Sequence, residues 1–329
     1  MTHGAALAVA TLALAACGTQ QRARPSGRPP AAEPAAAPSP KRPPAGRSVS
    51  VGQLPEGIVA TENVVVVAVR NPAQLVLLSA RTGRVLRRVS IAGAPRHLQL
   101  ATTTGPVLVP AEPINRLLEL TLPRAQISSV AVGAHPHDAA QSDGRMFVSN
   151  EFGDSVSVVR GGRVIARIGG FSQPAGIAAL GRRVAVTDVR LNTLTLIDTR
   201  TLRAIGHLPA GAGPTHAVAG ADGRVYVIDT RGGAVLTYVT RPSFRPLGRL
   251  ALPGTPYGVA VDPARQRLWV TLTAQDQLVE LSTEGGSPRV LHVYATGRQP
   301  NTVAVDARDG HVFVADAGPG TVQMIDPAR

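Results

Sequence analysis

The chain has 329 residues, 44% apolar but only 3% aromatic, and a single cysteine, which excludes any intramolecular disulfide. A core must therefore come from Val, Leu, Ile and Ala, and few rings remain for stacking on nucleic-acid bases. The net charge of +13 rests on arginine, with Lys41 the one lysine; without clustering such a bias is no footprint for nucleic acid, which is not expected as a partner.

Residues 5–16, AALAVATLALAA, form an apolar run too short to span a bilayer comfortably, and it leads into LAACG at 14–18. That ending resembles the bacterial lipobox, in which cleavage precedes the cysteine and the cysteine receives lipid. The resemblance implies a signal peptide over 1–16, lipidation at Cys17 and an extracytoplasmic protein anchored to a bacterial membrane. The opening MTHG departs from the pattern, because it carries no basic residue. From 17 to 47 the composition turns to Pro, Ala and Arg, which cannot bury enough surface to fold, and an extended, disordered tether is expected.

Repeats follow, over 48–329. Pro55, Pro95, Pro136, Pro174, Pro214, Pro256 and Pro300 recur at intervals of about 40 residues, a period typical of four-stranded propeller blades. Each opens a first strand, and second strands follow at 64–69, 106–110, 145–150, 183–188, 224–229, 267–272 and 311–316. Segment 132–168 shows the unit most plainly: an apolar strand after Pro136, an SDG turn, RMFVSN, SVSVV, a GG turn and a fourth strand. The last repeat stops after its third strand. SVSV at 48–51 matches the end of a fourth strand, so the N-terminal strand is expected to pair onto blade seven and close the ring. The expected fold is all-β, a seven-bladed propeller of four-stranded blades.

The recurring V-x-V-[TSA]-[ND], here FVSN, AVTD and FVAD, together with the G-x-x-P blade starts, resembles the YVTN-type β-propeller repeat family over 48–329. The family spans cell-surface and periplasmic binding proteins and relatives of lactonases and streptogramin lyases, so the resemblance implies fold more than function.

Antiparallel strands place the loops before the blade-start prolines on one face, called the top. Its loops carry an excess of acid and the bottom turns a larger excess of arginine. A fourth strand runs from bottom to top, so the tether is expected to enter at the bottom, turning the basic face toward anionic lipid. First strands line the channel. Two positions past each proline stand Gly57, His97, Asp138, Gly176, His216, Gly258 and Thr302, so His97, Asp138 and His216 depart from a glycine default. Imidazole with carboxylate could hold a divalent metal ion or do acid–base work. His135, His137, Tyr257 and Asn301 would extend that mouth, with Glu151 or Asp188 reaching in from outer loops.

No Walker motif, nucleophile elbow, HExxH or CxxC is present. The expected function is a monomeric cell-envelope lipoprotein whose top face binds or scaffolds a ligand or an envelope protein, without a cofactor. The alternative is a metal-dependent lactonase-like hydrolase or streptogramin-lyase-like enzyme working at the top of the channel.

Overall fold

The structure, a computed structural model, describes Met1 and residues 31–327, so Cys17 and most of the expected signal segment lie outside the described residues. The chain forms seven four-stranded antiparallel sheets in a ring. Among the described residues the only helical turns are two 3-10 turns, Glu112–Ile114 and Ala221–Gly223.

The middle strands explain the architecture. VVVVAVRN and QLVLLS in blade one are apolar on consecutive positions and buried almost throughout. A strand that is apolar on both faces must be sandwiched, here between the two neighbouring blades. The core is accordingly divided into seven clusters, one at each blade junction. Val67 and Val76 of blade one meet Phe313 and Val322 of blade seven at one junction, and Phe147 of blade three meets Ile177 of blade four at another.

The expected second strands stand at or within two residues of their predicted limits, with Arg145–Asn150, Arg183–Asp188, Arg224–Asp229 and Arg267–Leu272 matching fully. Ring closure also holds. Arg47–Ser50 pairs antiparallel with Thr321–Ile325, with Val49 opposite Val322, which completes blade seven one residue earlier than expected. Blade two is the irregular one: its first strand is reduced to Gln99–Leu100, with an isolated bridge from Pro95 to Ala111.

In blades three, four and five the blade-start loop is tied down by the polar residue ending the second strand. Asp229 accepts from the backbone N–H groups of Ala212, Gly213 and Gly232, and Asp188 from those of Ser172, Gln173, Arg190 and Leu191. Asn150 accepts from Gly133 N–H. The [ND] of the repeat is thus a loop clasp, and Asp188 does not extend the channel site as expected.

The segment before the ring departs from expectation. Residues 31–33 border the top mouth of the channel, and the Ala35 N–H donates to Thr273 Oγ1 at 3.0 Å. Residues 38–42 border a groove with Ala274, Gln277 and Ala295 at the top edge of blade six. Ala45 N–H donates to Ala295 O, and Gln323 Nε2 donates to Ala45 O. The chain therefore approaches across the top face, not from the bottom. The strand runs from bottom to top as expected, but the chain reverses at Gly46, where φ is +69° and a Cβ would overlap the Met324 carbonyl oxygen. Among residues 31–46, those that touch the disc do not form a free tether.

Candidate functional site

The first strands carry a register irregularity just after the proline in six of the seven blades, as between Pro136 and Asp138 and between Pro214 and His216. A bulge sets two residues against one and breaks strict alternation. As a result two successive positions face the channel at different heights. The first position past the proline supplies an upper ring that includes Arg96, His137, Thr215 and Tyr257. The second supplies a lower ring that includes His97, Asp138, His216 and Thr302.

Glycine fills the lower ring where neighbouring first strands approach most closely. A Cβ on Gly258 would stand 2.5 Å from Asn301 O, and one on Gly176 would stand 2.6 Å from Thr215 O. Where the strands leave room, imidazoles cross the channel. His97 and His216 meet Nε2 to Nε2 at 3.0 Å, one ring donating and the other accepting. The His137 ring lies 4.9 Å from that of His97, and Tyr257 packs edge-on against His216 at 4.6 Å. These four rings form a layer that separates the top mouth from the channel below.

Burial sets the protonation of this layer. All three imidazoles are pushed toward the neutral form, first by desolvation; Arg96 adds to this for each, and neighbouring imidazoles for His97 and His137. His216 is lowered to about 3. Burial likewise raises the Tyr257 hydroxyl.

Asp138 belongs to the wall. Its carboxylate accepts from Ala139 N–H, Ile177 N–H and Gln99 Nε2, and Gln99 Nε2 also donates to Ile177 O. That network ties blades two, three and four together. Burial raises Asp138 to about 7 against the pull of these donors. Asp138 therefore does not fit as a ligand to a metal ion beside His97 and His216, since both its carboxylate oxygens are engaged. The described residues contain no group of three His, Cys, Asp or Glu side chains placed to hold one.

Of the remaining expected residues, His135 lies outside the channel. Its backbone is left-handed at φ 52°, its N–H donates to Asn115 Oδ1, and its ring packs edge-on against Phe152. Asn301 is buried, with no hydrogen-bond partner at Oδ1. Glu151 does reach the mouth, where it accepts from Gln173 Nε2 and is raised by burial.

An ion-pair network around the mouth was not anticipated. Arg96 holds Glu56 at 2.9 Å, and Arg70 approaches both Glu56 and Glu112 at 3.5 Å. The positions just before the proposed channel residues, Glu56 and Arg96, would have shown it had the upper ring been read as well. Glu33, from the segment crossing the top, lies in the field of Arg96, which favours its charge, while burial and Glu151, Glu56 and Glu112 oppose it.

No protein-family model matches this chain, and no curated protein matches its sequence. Solved structures do. Hydrazine synthase from Kuenenia stuttgartiensis is similar at a TM-score of 0.74 with 16% identity, over 85% of this chain and 97% of that one. The likeness is one of fold. Virginiamycin B lyase from Staphylococcus aureus is similar at 0.71 with 13% identity over 85% and 98% of the two chains. The β-propeller domain of Cps50 (Swd1) from Myceliophteria thermophila is similar at 0.72 with 12% identity over 86% and 99%. Two of these neighbours are named for an enzyme and the third only for its propeller, and at these identities the scaffold carries no function across.

Proposed function

We propose that this protein is an extracytoplasmic lipoprotein, anchored through Cys17, whose YVTN-type propeller binds an extended peptide segment of a partner protein on its top face. The observation that carries this reading is the chain's own residues 31–45 lying on that face. They touch the channel mouth at Glu33, donate to Thr273 Oγ1 from Ala35 and end against blade six at Ala45. A proline-rich segment loses little entropy when it docks, because proline has already restricted its backbone. The top mouth offers such a segment Arg96 beneath Glu33, the Tyr257 ring and a polar rim.

Membrane anchoring is supported by the lipobox-like LAACG at 14–18, and the family assignment by the in-register repeat. The neutral imidazole layer plugs the channel beneath the mouth and gives the surface a floor. The reading is tested by offering the 31–44 peptide to a chain that begins at Ala45; saturable binding is expected.

A further inference from the structure

Below the imidazole layer the channel widens into a chamber of about 320 Å³, within the range of small-molecule sites. Its wall is aliphatic, with Leu98, Leu100, Val259, Val261 and Val303. The chamber is open to solvent, and with the rings above it that opening is at the bottom face. The rings of His97, His137, His216 and Tyr257 close it from the top mouth.

The roof has two polar atoms to spare, His97 Nδ1 and Gln99 Oε1. The Thr302 hydroxyl donates to Glu56 O, and the Gln99 amide nitrogen is engaged by Asp138 and Ile177 O. His216 and His97 use Nε2 on each other, and among the described residues nothing hydrogen-bonds to Nδ1 of His97. The imidazoles at the roof are held neutral, so an anionic head group would be desolvated there without a counter-charge.

We propose that this chamber is a binding site for a small neutral molecule with an apolar body and one hydroxyl, carbonyl or N–H group, which enters from the bottom face with that group leading toward His97. The site is separate from the top mouth and does not depend on what binds there.

The test uses the full-length protein and the neutral fluorophore N-phenyl-1-naphthylamine, with 1-octanol and octanoate as competitors. Saturable binding of one probe per chain is expected, weakened roughly ten-fold or more by Val261→Trp and by Val305→Trp, which fill the chamber from adjacent blades. Two variants are used so that one can fail to fold without ending the test, and each is read only if it keeps the wild-type unfolding transition. Exposed aliphatics on the outer strands, such as Leu86 and Ile165, could take up probe nonspecifically, and neither variant alters them. 1-Octanol is expected to displace the probe at least ten-fold better than octanoate. Unsaturable binding, binding unchanged in both variants, or octanoate competing as well as 1-octanol would overturn the proposal.

Discussion

Nε2 of His97 and Nε2 of His216 lie 3.0 Å apart across the channel, although 119 positions separate them in the chain. Blades two and five stand nearly opposite in a seven-membered ring, so this hydrogen bond crosses the void that every propeller must leave at its axis. Truncating one partner strands a buried imidazole nitrogen.

His97→Phe is therefore expected to lower stability by about 1–3 kcal/mol, the cost of leaving a buried polar group unpaired. His97→Phe/His216→Phe should cost less than the sum of the two single changes, because each single change removes the same bond. Urea unfolding of the three variants and the parent measures this. Strict additivity would show that the two rings are not coupled.

Stability should fall as pH rises from about 6.5 to about 8. His97, His137 and His216 have folded pKa values below the unfolded one, so their contribution is full above about 6.5 and is lost as pH falls through that value. Asp138 and Asp316 behave oppositely. Burial raises them to about 7 and about 8, so their contribution is present below pH ~4 and is lost as pH rises to those values. Below about pH 6.5 the histidines are opposed by Asp138, Asp316 and the other carboxylates that burial raises, Glu33, Glu119, Glu151, Asp276 and Asp306. Above about 6.5 the histidines no longer titrate, and stability falls as Asp138 and Asp316 ionise. Thermal unfolding across pH 4–9 checks the shape, and a monotonic rise to pH 9 would refute the assignment.

Asp316 separates the two limbs. Its Oδ1 is buried without a partner, while Oδ2 accepts from the Thr321 hydroxyl. Asp316→Asn keeps the shape and removes the titration, so the loss of stability from pH 6.5 to 8.5 should shrink by about 1 kcal/mol or more relative to the parent. Melting temperatures at the two pH values give the answer, and an unchanged difference would point to other groups.

The glycines of the lower ring should tolerate nothing larger. Gly258→Ala is expected to cost about 1–3 kcal/mol through overpacking against Asn301 O, and Gly176→Ala the same against Thr215 O. Gly144→Ala provides the contrast. Its φ of +69° carries strain, but nothing lies within 4 Å, so only about 1 kcal/mol should be lost. Equal losses at Gly258 and Gly144, read by chemical denaturation, would contradict the close-approach account.

Much of this molecule is legible in its sequence because a propeller repeats one local solution. Seven prolines mark the first strands, consecutive apolar residues mark strands sandwiched between blades, and SVSV at 48–51 reveals how the ring closes. The site is less legible, for physical reasons. Strict alternation selects one ring of channel residues, whereas the bulges after the prolines expose two, so Glu56 and Arg96 escape notice while Asp138 attracts it. Asp138 is chemically suggestive until Gln99 and two backbone N–H groups occupy its carboxylate. His135 is placed outside by a left-handed backbone that composition does not show. The reversal at Gly46 turns the preceding segment onto the top face, a path that the direction of the following strand cannot reveal.

The central claim is that the top face accepts an extended peptide and that residues 31–44 occupy it in cis. Fluorescence anisotropy of a labelled 31–44 peptide, titrated with a chain beginning at Ala45 and separately with the full-length protein, tests it most directly. The account predicts saturable binding to the shortened chain, weaker binding by roughly ten-fold or more to the full-length protein, and loss of affinity when Ala35 in the peptide is replaced by Pro, which removes the N–H that Thr273 Oγ1 accepts. No binding to the shortened chain, or equal binding to both proteins, would contradict it.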